Sequence, residues 1–173
     1  PTPTFLTYVL AFSLAAVICF AAIPRARAIN AADDTRNGLV ALVAISGVWA
    51  ALQVGYLAAP TLSLQYGFYI AGLVVGLSTV GPWLYFCSAY TGRSLHDNPT
   101  YQRIAIAVYL VIVSIKVTNP IHGLYFTATP TTTPFIHLMI DHGTLHWLAM
   151  GLAYALATVG IFMLFELFAQ VDY

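Results

Sequence analysis

The sequence predicts an all-α polytopic helical membrane bundle of five transmembrane helices, with the N-terminus outside and the C-terminus cytoplasmic. Three observations carry this: five long apolar stretches, very few charges, and arginines confined to alternate loops. Of 173 residues, 60% are hydrophobic and 7% charged, and the mean hydropathy is +0.83. A soluble domain carries about a quarter charged residues, so a water-exposed globule is disfavoured. Zero net charge leaves no electrostatic pull on nucleic acid, and no such partner is expected.

A hydrocarbon core of about 30 Å takes about 20 apolar residues per helix. The first stretch, Phe5–Ile23, comes after Pro1-Thr2-Pro3-Thr4. It is longer than a signal-peptide core and has no basic residue ahead of it, so it reads as a spanning helix. The missing initiator Met suggests a piece of a longer protein. In the linker Pro24 to Gly38, Asp33, Asp34 and Thr35 are placed to cap the second helix, Leu39–Ala59. The uncharged loop Pro60 to Gln65 leads to the third, Tyr66–Tyr90, where Gly81-Pro82 predicts a kink in the C-terminal third. Loop three, Gly92 to Thr100, holds the turn signal Asn98-Pro99 before the fourth helix, Tyr101–Thr118.

The longest loop, Asn119 to Gly143, carries Pro120, Pro130, Pro134 and the threonines Thr127, Thr129 and Thr131 to Thr133. Its apolar Phe126, Phe135, Leu138 and Met139 predict an ordered cap, since a disordered tether has fewer such residues. The fifth helix is Leu145–Ala169. No stretch alternates with period two, so a barrel is disfavoured. Residues 1–173 read as one membrane-embedded region of a multi-pass cell-membrane protein in a lipid bilayer. Cys19 and Cys87 read as small buried hydrophobes. Gly47-x-x-x-Ala51, Gly72-x-x-x-Gly76 and Gly151-x-x-x-Ala155 each put small residues on one helix face, where backbones can approach, and a homodimer is expected.

Orientation comes from the basic residues. Arg25, Arg27, Arg36, Arg93 and Arg103 lie in or beside loops one and three, while loops two and four hold none. The positive-inside rule puts the arginine side in the cytoplasm. His122, His137, His142 and His146 gather around loop four, on the other side.

Apart from Arg103 in the first turn of the fourth stretch, which can lie at the interface, Lys116 is the one Lys or Arg inside an apolar stretch. Its plain reading is a snorkelling side chain. The sharper reading puts it in the mouth of an outer pocket, paired with Asp141 or an anionic ligand. His142 and His146, four apart at the start of helix five, put two imidazoles on one face, as zinc chelation requires. Without a tight third ligand this spacing is not specific, and no metal site and no cofactor are expected. No catalytic residue is expected either, because HExxH, GxSxG, GxxxxGK[ST] and paired-carboxylate patterns are absent. Ser46, Gln53, Ser78, Thr79 and Tyr109 read as interhelical hydrogen-bonders. Trp49, Trp83, Tyr85, Phe86 and Tyr90 read as packing and interfacial anchors. Glu166, with Asp172 and Tyr173 just beyond, marks the end that hands over to the rest of a longer chain.

Two segments go beyond generic membrane sequence. Trp83-Leu-Tyr-Phe-Cys-Ser-Ala-Tyr90-Thr91-Gly92-Arg93 ends helix three, and Thr118-Asn119-Pro120-Ile-His122-Gly123-Leu-Tyr125-Phe126 leaves helix four. With Gly143-x-x-His146-Trp147 and Tyr154, they resemble the N-terminal seven-helix sensor region of membrane histidine kinases, in particular haloarchaeal versions linked to PAS and kinase domains. In that family W-x-x-F-x-x-x-Y-T-G-R closes helix three and TNP-x-H-x-L-(Y/F) leaves helix four, in the same order. The likeness runs through almost the whole chain. It implies a two-component sensor, with two further helices and cytoplasmic PAS and kinase domains in the parent chain. Kinase chemistry would belong to that parent, since no phosphoacceptor helix or ATP-binding glycine box is present here.

The expected function is therefore a sensory input domain that relays an extracellular or intramembrane stimulus, a small molecule or ion, to cytoplasmic domains. The alternatives are a transporter or channel subunit and a membrane metal-binding protein. The candidate sensing residues are Lys116, Asn119, His122, Tyr125, His137, Asp141, His142 and His146. The candidate output face is Tyr90, Gly92, Arg93 and Glu166, where Gly92 is placed for a left-handed helix cap and Arg93 complements the helix dipole.

Overall fold

The computed structural model describes residues 2–171, so the hand-over expected at Asp172 and Tyr173 lies outside the described residues. Five helical stretches are long and apolar enough to span a membrane: Pro3–Arg27, Asp33–Ala58, Leu62–Tyr90, Pro99–Val117 and Thr144–Ala169. The protein is a polytopic helical membrane bundle. Outward-facing Leu10, Leu14, Ile18, Ile106, Leu110 and Phe165 are exposed, as lipid-facing side chains are where the surrounding solvent is apolar.

Helix α1 (Pro3–Arg27) starts on Thr2, whose hydroxyl accepts from Phe5 N at 3.3 Å, with Pro3 at its first position. It runs four residues past the expected end at Ile23, through Pro24, and Arg25 and Arg27 complement the dipole of its last turn. Helix α2 (Asp33–Ala58) starts at Asp33 instead of Leu39, and its N-cap Ala32 makes no side-chain hydrogen bond. Asp33, Asp34 and Thr35 therefore lie inside the helix and do not cap it. The two acids favour its start through charge on the positive dipole end. The loop between the spans shrinks to Ala28–Ala32.

The third span is two helices, α3 (Leu62–Ser78) and α4 (Val80–Tyr90), meeting at Thr79. Pro82 has no N–H for the carbonyl of Ser78, which is where the regular ladder breaks. The regular helix is thus interrupted at Thr79, three residues before the proline, in the part of the span where a kink was expected. Thr61 caps α3 by accepting from Leu64 N at 3.3 Å. Asn98 caps α5 (Pro99–Val117) by accepting from Thr100 N at 2.9 Å and Tyr101 N at 3.4 Å. A short α6 (Asn119–His122) ends at Gly123, whose φ of +62° lies in the left-handed region that glycine enters freely.

Loop four then forms an antiparallel hairpin that the sequence does not predict: β1 (Phe126–Thr131) and β2 (His137–His142), with Phe126 opposite His142 and Thr131 opposite His137. Alternating Thr127, Thr129 and Thr131 carry a local strand signal. The expected ordered cap is this hairpin. Helix α7 (Thr144–Val171) completes the chain.

Helix α2 packs against α1, α3 and α4, while α4 packs on α7 and α3 on α5. Of the small-residue faces, two make contacts and one does not. A Cβ on Gly47 would lie 3.0 Å from the Phe20 ring, and one on Gly76 3.2 Å from Trp49 Nε1, whereas Gly151 has nothing within 4 Å. Gly151-x-x-x-Ala155 is therefore no contact face within the chain. Helix α7 instead closes on α4 at Gly160, where Trp83 and Cys87 leave no room for a side chain. Of the polar groups expected to bridge helices, Ser78 bonds Tyr109 at 2.7 Å, while Ser46 bonds back to Leu42 O at 2.8 Å and Thr79 to Gly76 O at 2.7 Å within their own span.

Candidate functional site

The hairpin end of the bundle is built on Asn119. Pro120 and Gly123 turn the chain after α5, and this brings Tyr125 and Phe126 back over the bundle. The Asn119 side chain, 1% exposed, fixes that return. Its Oδ1 accepts from Tyr125 N at 2.9 Å and Phe126 N at 3.2 Å, and its Nδ2 donates to Phe126 O at 2.8 Å and Tyr66 OH at 3.2 Å. The amide is saturated by protein groups, so Asn119 is a clamp. Phe126 packs on Tyr66 and Tyr69 of α3, with ring centroids 5.3 and 4.8 Å apart. Tyr56 of α2 donates to Leu138 O at 3.1 Å and ties down β2.

Lys116 lies beneath this cap and does not snorkel. It is 3% exposed, and its Nζ donates to Leu73 O on α3 at 2.7 Å. The ammonium is 5.4 Å from the Tyr125 ring centroid, within cation–π range. The expected pairing with Asp141 is not made: that carboxylate is exposed on the hairpin, and no described carboxylate is within ion-pair distance of Lys116. Burial pushes the Tyr125 phenol up to about 12, so it stays neutral and able to donate.

The candidate histidines divide into three places. His142 ends β2 instead of starting a helix, yet its ring stacks on His146 of α7 at 3.8 Å and its Nε2 lies 3.0 Å from Tyr69 OH. The His146 ring meets Tyr125 edge-on at 5.3 Å. His122 faces away from them. Its Nδ1 accepts from Leu124 N at 3.0 Å, which leaves Nε2 protonated to donate to Thr118 Oγ1 at 3.2 Å. His137, at the far end of the hairpin, donates from Nδ1 to Phe135 O at 2.8 Å and lines a second crevice with Tyr8, Phe12 and Gln53. Lys116, Tyr125, His142 and His146 thus come together, and His122, His137 and Asp141 stand apart. Among the described residues no three His, Cys, Asp or Glu side chains converge as a metal set.

The other end holds a second polar cluster. Gly92, with φ of +68°, closes α4. Arg93 pairs with Glu166 of α7, and Tyr90 stacks on Phe86 with centroids 5.6 Å apart. The one histidine outside the sequence-derived set, His96, is anchored here. Its Nδ1 is 2.9 Å from Ser88 Oγ, and Asp97 and Asp34 lie 3.6 and 3.9 Å from its Nε2. Tyr85 donates to Asp34 at 2.7 Å and joins α4 to α2. The run Ser94-Leu95-His96-Asp97 directly after Thr91-Gly92-Arg93 was the available signal for it. The side chains of Arg93 and Glu166 are 42% and 55% exposed, so Glu166→Gln is expected to change the unfolding free energy by less than about 1 kcal/mol. Thermal unfolding in micelles checks this, and a larger loss would mean the pair holds α7 in place.

Spanning helices, a hairpin cap over one end and a charged cluster at the other define a multi-pass membrane protein with two polar ends joined through shared helices. The chain belongs to the family described as the N-terminal 7TM region of histidine kinase, whose match covers residues 4–172. A search of curated proteins returned no match, and a search of solved structures returned none. The membrane sensory region of a histidine kinase is the class the chain falls in.

Proposed function

We propose that this region receives a stimulus at the hairpin-capped end and relays it to PAS and kinase domains at the arginine-bearing end, as the input of a two-component system. The observation that carries the reading is that the third span and α7 serve both ends. At the cap, α3 supplies Tyr66, Tyr69 and the Leu73 carbonyl to Asn119, His142 and Lys116, and α7 supplies His146. Midway along α7, Trp83 Nε1 of α4 donates to Ala157 O at 3.0 Å, and at the other end Arg93, just after α4, pairs with Glu166. The break at Thr79 lies between the two. A ligand that prefers one packing of α3 against α5 and α7 would bias the far end as well, which is the requirement for coupling. The arginine distribution supports a cytoplasmic output face with the N-terminus outside.

The test is autophosphorylation of the parent kinase in membranes. Alanine at His142 or His146 is expected to alter the stimulated rate, and Trp83→Phe to uncouple that rate from the stimulus by removing the Ala157 bond. If the response is unchanged with His122, His142 and His146 all replaced by alanine, the site is wrong.

A further inference from the structure

The crevice beside His137, of about 290 Å³, opens where α1, α2 and the hairpin meet. Helix α1 lines it with one face, Thr4, Tyr8 and Phe12, each four residues after the last. Helix α2 adds Gln53 and Tyr56, a turn apart, and the hairpin adds Phe135 from its connection and His137 from β2. Four aromatic rings thus come to one place from three elements. Three of them are held by partners outside the crevice. Phe12 meets Trp49 edge-on with centroids 5.8 Å apart, Phe135 meets Phe5 edge-on at 5.3 Å, and Tyr56 is tied through its hydroxyl to Leu138 O at 3.1 Å. These walls are ordered by the fold itself, so a ligand does not bear the cost of arranging them.

The lining contains no lysine, arginine, aspartate or glutamate. It offers negative potential without net charge. An aromatic face attracts a cation through the ring quadrupole, more strongly as water is excluded. His137 donates from Nδ1 to Phe135 O at 2.8 Å, so the neutral ring keeps a lone pair on Nε2. The hydroxyls of Thr4 and Tyr8 and the Gln53 side-chain carbonyl add further lone pairs. The same inventory narrows the class of cation. A metal ion takes a shell of oxygen ligands rich in carboxylate, and no carboxylate lines the crevice. A primary ammonium brings three N–H donors that must be paired when it leaves water, best by a carboxylate. A quaternary ammonium has no N–H to satisfy, spreads its charge over methyl groups, and is the cation that aromatic cages take. The volume lies at the low end of the range for small-molecule sites, about 300–1,000 Å³, which suits a compact head group.

We infer that the crevice between α1, α2 and the hairpin binds a trimethylammonium group, seated among Tyr8, Phe12, Tyr56 and Phe135. Free choline-type solutes and choline-lipid headgroups share this chemistry, and the test separates them. The bound cation would bridge α1 and α2 to the hairpin connection. None of Lys116, Tyr125, His142 and His146 lines this crevice, so the site stands independently of whether their cluster receives the stimulus.

The full chain in dodecyl maltoside micelles is expected to bind tritiated choline saturably in equilibrium dialysis. Dimethylbutanol, the neutral isostere with carbon in place of the ammonium nitrogen, should compete about tenfold more weakly, as expected when several ring faces act on the charge. Tyr8→Leu, at a residue 49% exposed on α1, should weaken choline by about threefold or more and leave dimethylbutanol little changed. Tyr8→Phe keeps the ring face and should keep the affinity. Phe12→Leu should act as Tyr8→Leu does, and provides a second reading from the same wall. Non-saturable uptake, equal competition by dimethylbutanol, or choline binding undiminished in both leucine variants would overturn the site. Tighter competition by methylammonium than by tetramethylammonium would overturn the quaternary class. Glycerophosphocholine competing better than choline would assign the crevice to lipid headgroups, and the reverse order to free solutes; either order supports the trimethylammonium seat. A crevice covered by a second copy of the chain would show no choline binding, which would overturn the site equally.

Discussion

Asn119→Ala is expected to lower stability more than any other single change at the capped end, by about 3 kcal/mol or more. The substitution strands the N–H groups of Tyr125 and Phe126 and the carbonyl of Phe126, each buried where an unsatisfied group costs about 1–3 kcal/mol. It also removes the Tyr66 contact that ties the turn to α3. Thermal unfolding in micelles should show the loss, and limited proteolysis should cut loop four earlier than in the unmodified chain. His122→Ala is the control. His122 is exposed enough to reach solvent and bonds only within its own turn, so water can replace its partners and the loss should stay below about 1 kcal/mol. Equal unfolding temperatures for the two variants would refute the clamp.

Gly143→Ala is the second large expected effect. Gly143 joins β2 to α7 and donates to Tyr125 O at 2.9 Å. An added Cβ would collide with the Leu124 carbonyl oxygen, and would lie 3.1 Å from the carbon of that carbonyl and 3.3 Å from Tyr125 O. These are backbone atoms of a turn already clamped by Asn119, so they have little freedom to move aside. Overpacking of this kind costs about 1–3 kcal/mol, and the hairpin should lift from α3 as a result. Gly151→Ala is the counterpart within α7, where nothing lies within 4 Å. There the better helix propensity of alanine should leave stability unchanged or raise it by up to about 1 kcal/mol. Opposite signs for the two variants, read by unfolding midpoint, separate close approach from a general intolerance of the methyl group. A tolerated Gly143→Ala would mean that the cap is looser than its contacts imply.

These effects matter for function because the cap holds the buried lysine. Lys116 is kept from solvent by Tyr125 above it and by α3 beside it. Loosening Asn119 or Gly143 is expected to admit water to Lys116 and to lower stability.

Much of the architecture was legible in the sequence. A bilayer core imposes a length, and each of the five apolar stretches satisfies it. Helix ends were less legible, because Pro24, Asp33 and Pro99 read as linker residues but are compatible with helix termini. The motif Thr91-Gly92-Arg93 announced a helix end, and Gly92 takes the left-handed conformation that such an end uses. The hairpin was hidden, because two short strands in a lipid-facing protein carry no alternation strong enough to register. They are held by Phe126 on Tyr69 and by Tyr56 on Leu138.

Composition and the histidine count drew attention to loop four as one cluster, and folding divides it. The hairpin register sends His137 to the opposite end from His142, and the α6 turn points His122 outward. Lys116 was recognisable as unusual by sequence, but its depth depends on which carbonyl of α3 it reaches, and no local pattern encodes that. The spans, the charge asymmetry and the family likeness could be read from residue order, because hydrophobic length and loop arginines act locally along the chain. Which polar groups meet, and which are left unpaired beneath the hairpin, depends on how five spans and a hairpin pack. Those contacts join residues tens of positions apart, and their energies come from burial that exists once the bundle has assembled.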